Sequence, residues 1–138
     1  MNARFWLMAV TAVGLAATVD VATAQQRPCP HSESDRDKIT RTLQSATTCQ
    51  RAYDIINACR SNTGGDVALA DVVIQRFEAS FLPGLTATAR RAYDAERAAC
   101  RKRYAKREGT MYVSFAVTCE AGGAARLAGA AEKRTRSR

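Results

Sequence analysis

Histidine is almost missing from this sequence: among 138 residues there is one, His31. A single imidazole, with no Cys-x-x-Cys spacing and no second cluster of ligands, leaves a tetrahedral metal site without donors, so no metal is expected. Gly-x-Ser-x-Gly, a phosphate-binding loop and a Cys–His dyad are also lacking. Carboxylates are present, but nothing in their spacing brings two together as glycoside chemistry needs. No catalytic residue and no cofactor are therefore assigned, and action by binding is expected. The sole tryptophan, Trp6, lies in the N-terminal segment.

Long apolar runs are equally scarce. The one candidate, Phe5 to Ala17, follows Met1-Asn2-Ala3-Arg4 and precedes Ala22-Thr23-Ala24. It falls short of the ~20 apolar residues a membrane helix takes, and Asp20 interrupts its far end. A basic start, a short apolar core and small residues at −3 and −1 are the marks of a cleavable leader. Residues 1–24 are expected to be a signal peptide, with cleavage after Ala24 and no transmembrane span afterwards. The destination implied is the periplasm or the extracellular space. Residues 25–33 read as an extended lead-in with Pro28 and Pro30, 34–132 as one helical domain, and 133–138 as a solvated basic tail.

Apolar spacing in that domain is helical. Ile39, Leu43, Ala46, Tyr53, Ile56 and Cys59 share a face, with Ser32 or Ser34 able to cap its start and Thr47-Thr48 able to divide it. Ser61 to Gly65 ends this stretch. Leu69, Val73, Phe77 and Phe81 mark a second helical segment, opened by Asp66 or Asp71 and stopped at Leu82-Pro83-Gly84. A third begins near Thr86 and runs through Tyr93, Cys100 and Tyr104 to Gly109. Beyond it, Met111, Val113, Phe115, Val117 and Cys119 alternate as in a strand. An isolated strand would leave its backbone unpaired, so this segment too is read as helix. The expected fold is all-α: a small disulfide-bridged bundle of three to four helices.

Five cysteines, Cys29, Cys49, Cys59, Cys100 and Cys119, all follow the leader. In an oxidising compartment most should be bridged, and a domain this small benefits from the cross-links. Two bridges with one thiol left over allow fifteen arrangements. Cys100 and Cys119 lie nine residues before and ten after Gly109, so an antiparallel hairpin brings them face to face. Cys49 and Cys59 on one unbroken helix would be ~15 Å apart, beyond bridging reach. Either that helix breaks near Thr48, or each pairs elsewhere, Cys29 being a partner for one of them. As the cysteine nearest the flexible end, Cys29 is the best candidate for a reactive or intermolecular thiol.

The stretch RAYDAERAACRKRYAKREGTMYVSFAVTC, with Tyr93, Arg97, Cys100, Gly109-Thr110 and Cys119, resembles the lysozyme-inhibitor LprI-like family of small bacterial envelope proteins. Cys49, Cys59 and Asp71, Ile74 and Gln75 are weaker counterparts of the family's upstream cysteine pair and Asp-x-x-Leu-Asn motif. The family's aromatic is usually Trp, one residue further from its cysteine, and Cys29 is an addition. The resemblance spans about residues 49 to 127. It implies an exported helical domain with two internal bridges that acts by protein binding, with a lysozyme or another envelope protein as partner.

Acidic residues are outnumbered, 13 against 21 Lys and Arg, for a formal charge of +8. Loss of Arg4 and Asp20 with the leader leaves that balance unchanged. Charge concentrates in Arg101, Lys102, Arg103, Lys106 and Arg107, and again in Lys133, Arg134, Arg136 and Arg138. Cations at a helix C-terminus are ordinary helix chemistry. Read functionally, the first cluster is an anion-binding surface, and an exported basic protein meets lipopolysaccharide phosphates and acidic cell-wall polymers. Export argues against nucleic acid, and Tyr104 with Tyr112 does not make a stacking platform for bases. Like charge would oppose docking on a basic lysozyme unless an acidic patch, with Asp94, Glu96 and Asp54 as candidates, meets it.

Overall fold

The computed structural model describes residues 28–32 and 34–137. The expected leader and its cleavage point lie outside the described residues. The described residues form five α-helices: α1 Arg36–Ser45, α2 Cys49–Cys59, α3 Asp66–Phe81, α4 Ala87–Tyr104 and α5 Thr110–Arg136. Leu82–Gly84 forms a 3-10 turn between α3 and α4. The all-α, disulfide-bridged class is as expected, and the count is five because Thr47-Thr48 does divide the first segment. Ala46 leaves the helical conformation, and the Thr48 side chain accepts the Arg51 N–H at 3.1 Å to start α2. Thr86 caps α4 the same way, accepting from Ala89 N–H at 3.2 Å. The first helix opens at Arg36 behind Asp35, rather than at Ser32 or Ser34.

α5 is the spine, about 40 Å long at 1.5 Å per residue, with α3 laid most extensively along it and α2 and α4 on its other sides. Its alternation of larger residues misleads. Met111 and Val113 are exposed, whereas Ser114, Thr118, Ala121, Ala125 and Ala128 are buried. Those positions recur by fours and threes, the spacing of one helical stripe. Because every residue in the stripe is small, α3 can come close, and Leu69, Val73 and Phe77 fill the space against Ile39, Leu43 and Ile56. No strand occurs among the described residues.

Two polar devices, one buried and one at the surface, fix the ends of this packing. Asp66, fully buried at the first turn of α3, accepts from Ser61 N–H, Thr63 N–H, Arg36 and, at 2.6 Å, Ser114 Oγ of α5. Burial alone would raise its carboxyl, but these donors together outweigh burial and hold it below its ordinary 3.8. At the other end of α1, Arg76 of α3 donates to the carbonyls of Leu43, Gln44 and Ala46. They lie where the intrahelical hydrogen-bond ladder runs out, Leu43 also accepting the Ala46 N–H.

The bridges are Cys100–Cys119, with Cα atoms 5.7 Å apart, and Cys29–Cys59, at 4.8 Å. The first joins α4 to α5 across the Gly109 turn, as hairpin symmetry requires. The second corrects the expectation for Cys29: it is bridged, and the free cysteine is Cys49. The lead-in passes the C-terminal end of α2, within reach of Cys59, while Cys49 sits at the opposite end of that helix facing the core. Burial, and then Glu132 beside it, push the Cys49 thiol up to about 12, so it is not a reactive thiolate. Lys133 to Arg136, in the segment read as a solvated basic tail, are exposed as expected and helical, forming the end of α5.

Candidate functional site

α4 buries little apolar surface; only Tyr93 and Cys100 are fully sequestered. What holds it is polar. Tyr93 Oη donates to Glu78 Oε1 at 2.9 Å, and Arg97 donates to the same oxygen at 2.7 Å and to Glu120 Oε2 at 2.8 Å. Arg101 reaches Glu120 as well, at 2.5 Å. Tyr93 also meets Phe81 edge-on, centroids 5.2 Å apart. Glu120 is 5% exposed and thus compensated by two guanidinium groups. Burial opposes the Arg97 charge, yet Glu120 and Glu78 outweigh it and favour the charged form beyond its ordinary level. For Tyr93, burial and then Glu78 push the phenol well above 10.0, so it stays a donor. Glu78 and Glu120 carry no sequence motif; their position opposite Arg97 emerges only when α3, α4 and α5 are packed.

This network sorts the five predicted anion-binding residues. Arg101 is committed inward to Glu120. Arg107 lies over the Tyr112 ring, 5.8 Å from its centroid. Lys102, Arg103 and Lys106 are exposed and have no carboxylate partner among the described residues. They project from the last turn of α4 and the turn after it, where the helix dipole already favours cations. Glu108, also exposed, is the one acid in the turn.

The tip is rigid and partly apolar as well as cationic. Gly109 adopts φ 105°, a conformation costly for any other residue, and α5 starts directly after it. Tyr104, Tyr112 and Phe115 form an aromatic cluster, with centroids 5.8 to 6.3 Å apart. Met111 and Val113, 41% and 46% exposed, stand beside it. Each of the three acids named as candidates for an acidic patch has a partner of its own. Asp94 faces Arg90, Glu96 is paired with Arg126, and Asp54 accepts from Gln50.

Among the described residues no cluster of His, Cys, Asp and Glu has the makeup of a metal site. No helix among them is long and apolar enough to cross a membrane. Set beside known proteins, the chain matches no family model, no curated protein and no solved structure.

Proposed function

We propose that the chain is an exported binding protein whose working surface is the tip of the α4–α5 hairpin, and that it holds anionic polymers of the cell envelope. One observation carries this reading: Lys102, Arg103 and Lys106 stand exposed, with no carboxylate partner among the described residues, on a tip held by the Cys100–Cys119 bridge. Other cations of the same hairpin are turned inward onto carboxylates, as Arg97 is to Glu78 and Glu120 and Arg101 to Glu120. Three left free in one place, on a braced turn, generate a local positive field that concentrates polyanions. The two bridges fit an oxidising compartment, where the leader would deliver the chain. Binding to lipopolysaccharide or cell-wall fragments, measured at low and high salt, tests the reading. It should weaken steeply as salt shortens the ~8 Å screening length. Replacing Lys102, Arg103 and Lys106 together with Gln should remove most of it. Binding that ignores salt, or that survives the triple substitution, defeats the proposal.

Lysozyme inhibition, in the manner of the LprI-like proteins, is the second reading. Its support is that Tyr93, Arg97, Cys100 and Cys119, which carry the resemblance, form one connected unit with Glu78 and Glu120. These residues face inward, so the likeness bears on the scaffold more directly than on a contact surface. Full activity of several lysozyme types at micromolar excess of the protein would eliminate this reading for those enzymes.

A further inference from the structure

A cleft of about 340 Å³ opens between α2, α4 and α5, on the side of Tyr104 away from Arg101 and Arg107. Its volume lies at the small end of the range for small-molecule sites. Tyr53, Asn57 and Arg60 of the α2 side line it, facing Tyr104, Phe115 and Thr118. Arg60 lies over the Phe115 ring, 5.7 Å from the centroid, and has no carboxylate partner among the described residues. A guanidinium stacked on a ring keeps its N–H edge free, and that edge matches a carboxylate or phosphate through two parallel hydrogen bonds. Thr118 provides a second, independent sign. It is 3% exposed, and its Oγ1 has no hydrogen-bond partner. Buried hydroxyls are nearly always paired, so this one, in the wall of a cleft, has hydrogen-bonding capacity left for a molecule bound there.

Both bridges brace this cleft. Cys59, tied to Cys29, immediately precedes Arg60, and Cys119, tied to Cys100, lines the wall. Tyr104 follows Cys100 by one helical turn. The walls are thus set before a ligand arrives, which lowers the entropic cost of binding.

We infer that this cleft is a binding site for a single acidic sugar unit, its carboxylate on Arg60 and its ring against Tyr104 and Phe115. Aromatic faces carry a negative quadrupole that suits the C–H bonds of a saturated ring. The Tyr53, Asn57 and Thr118 side chains supply the hydrogen bonds that ring hydroxyls need. The inference deepens the polymer-binding reading and rests on it: the tip would gather the polymer and the cleft would take one unit.

The test is titration of the full mature chain with N-acetylmuramic acid, neutral N-acetylglucosamine or inorganic phosphate, followed by amide NMR shifts. The acidic sugar should bind in the millimolar range or tighter, moving the amides of Arg60, Phe115 and Thr118. Arg60→Gln should weaken it at least about tenfold, with Arg60→Lys restoring part of the loss. Thr118→Val relieves a buried unpaired hydroxyl, so it should raise the melting temperature by about 3 °C while weakening the sugar several-fold; a purely structural Thr118 would not weaken it. The Lys102, Arg103 and Lys106 triple Gln variant should bind the monosaccharide within about twofold of the parent. Equal binding of the neutral sugar, equally tight binding of phosphate alone, indifference to Arg60→Gln, or no shifts at ~10 mM acidic sugar would each overturn the inference. Loss of polymer binding in the triple variant with no monosaccharide binding by the parent would sink the cleft and leave the tip. Monosaccharide binding by a parent chain that holds no polymer would do the reverse.

Discussion

Charge at single residues in this protein is decided by what is packed around it. Asp66 is surrounded by donors from Arg36, Ser61, Thr63 and Ser114, Glu120 has two guanidinium groups, and Lys106 has no carboxylate partner among the described residues. Because the Asp66 carboxyl is held below its ordinary value, the unfolded chain binds the extra proton as pH falls toward 4. Its stabilisation is therefore complete above about pH 4 and lost as pH falls through the folded value. Asp66→Asn should cost about 2–4 kcal/mol at neutral pH, since Asn keeps one acceptor oxygen, turns an N–H2 toward donors and leaves Arg36 without its counter-charge. It should also flatten the fall in stability below about pH 4. Urea titrations of both proteins across that range check the sign: an unchanged acid slope would mean that other carboxylates carry it. None of this is visible in the sequence, where Asp66 reads only as an acid at a helix start.

Among the elements, α5 is the most informative. Helix ends were legible: Thr48, Thr86, Pro83 and Gly109 stand where their chemistry places starts and stops. The buried faces of α1 and α3 were legible too, because Ile39, Leu43, Leu69, Val73 and Phe77 are large. The buried face of α5 was hard to read because it consists of Ser, Thr, Ala and Gly, whose burial depends on a close neighbour rather than on their own hydrophobicity. Arg60 and Thr118 escaped notice for a related reason, since a cleft between three helices has no local pattern. Two glycines of α5 make opposite predictions. A methyl at Gly129 meets nothing within 4 Å, so Gly129→Ala should stabilise by about 1 kcal/mol through helix propensity alone. A methyl at Gly122 would sit 2.8 Å from Tyr53 Oη and 3.0 Å from its ring. Gly122→Ala should forfeit that gain and displace Tyr53 from the wall of the cleft. Thermal melts of the pair check the contrast; equal melting temperatures would refute it.

At the scale of the whole molecule, two bridges and one long helix set what can move. Losing either bridge should cost roughly 3 kcal/mol from loop entropy, the loops spanning 30 residues for Cys29–Cys59 and 19 for Cys100–Cys119. The losses should differ in character. Replacing Cys100 and Cys119 with Ser should release α4, which has little apolar anchorage, and hydrogen exchange should quicken there before it does in α3. Uniform acceleration across all helices would contradict this. The same bridge has a consequence for how the protein withstands a protease. The exposed tip, dense in Lys and Arg, is where a trypsin-like protease would cut first, and every bond from Arg101 to Thr118 lies inside the ring that Cys100 and Cys119 close. A single nick there separates no fragment. The cut protein should migrate as one chain on a non-reducing gel and as two after reduction, so the part of the molecule most open to attack is also the part that can be cut once without being lost.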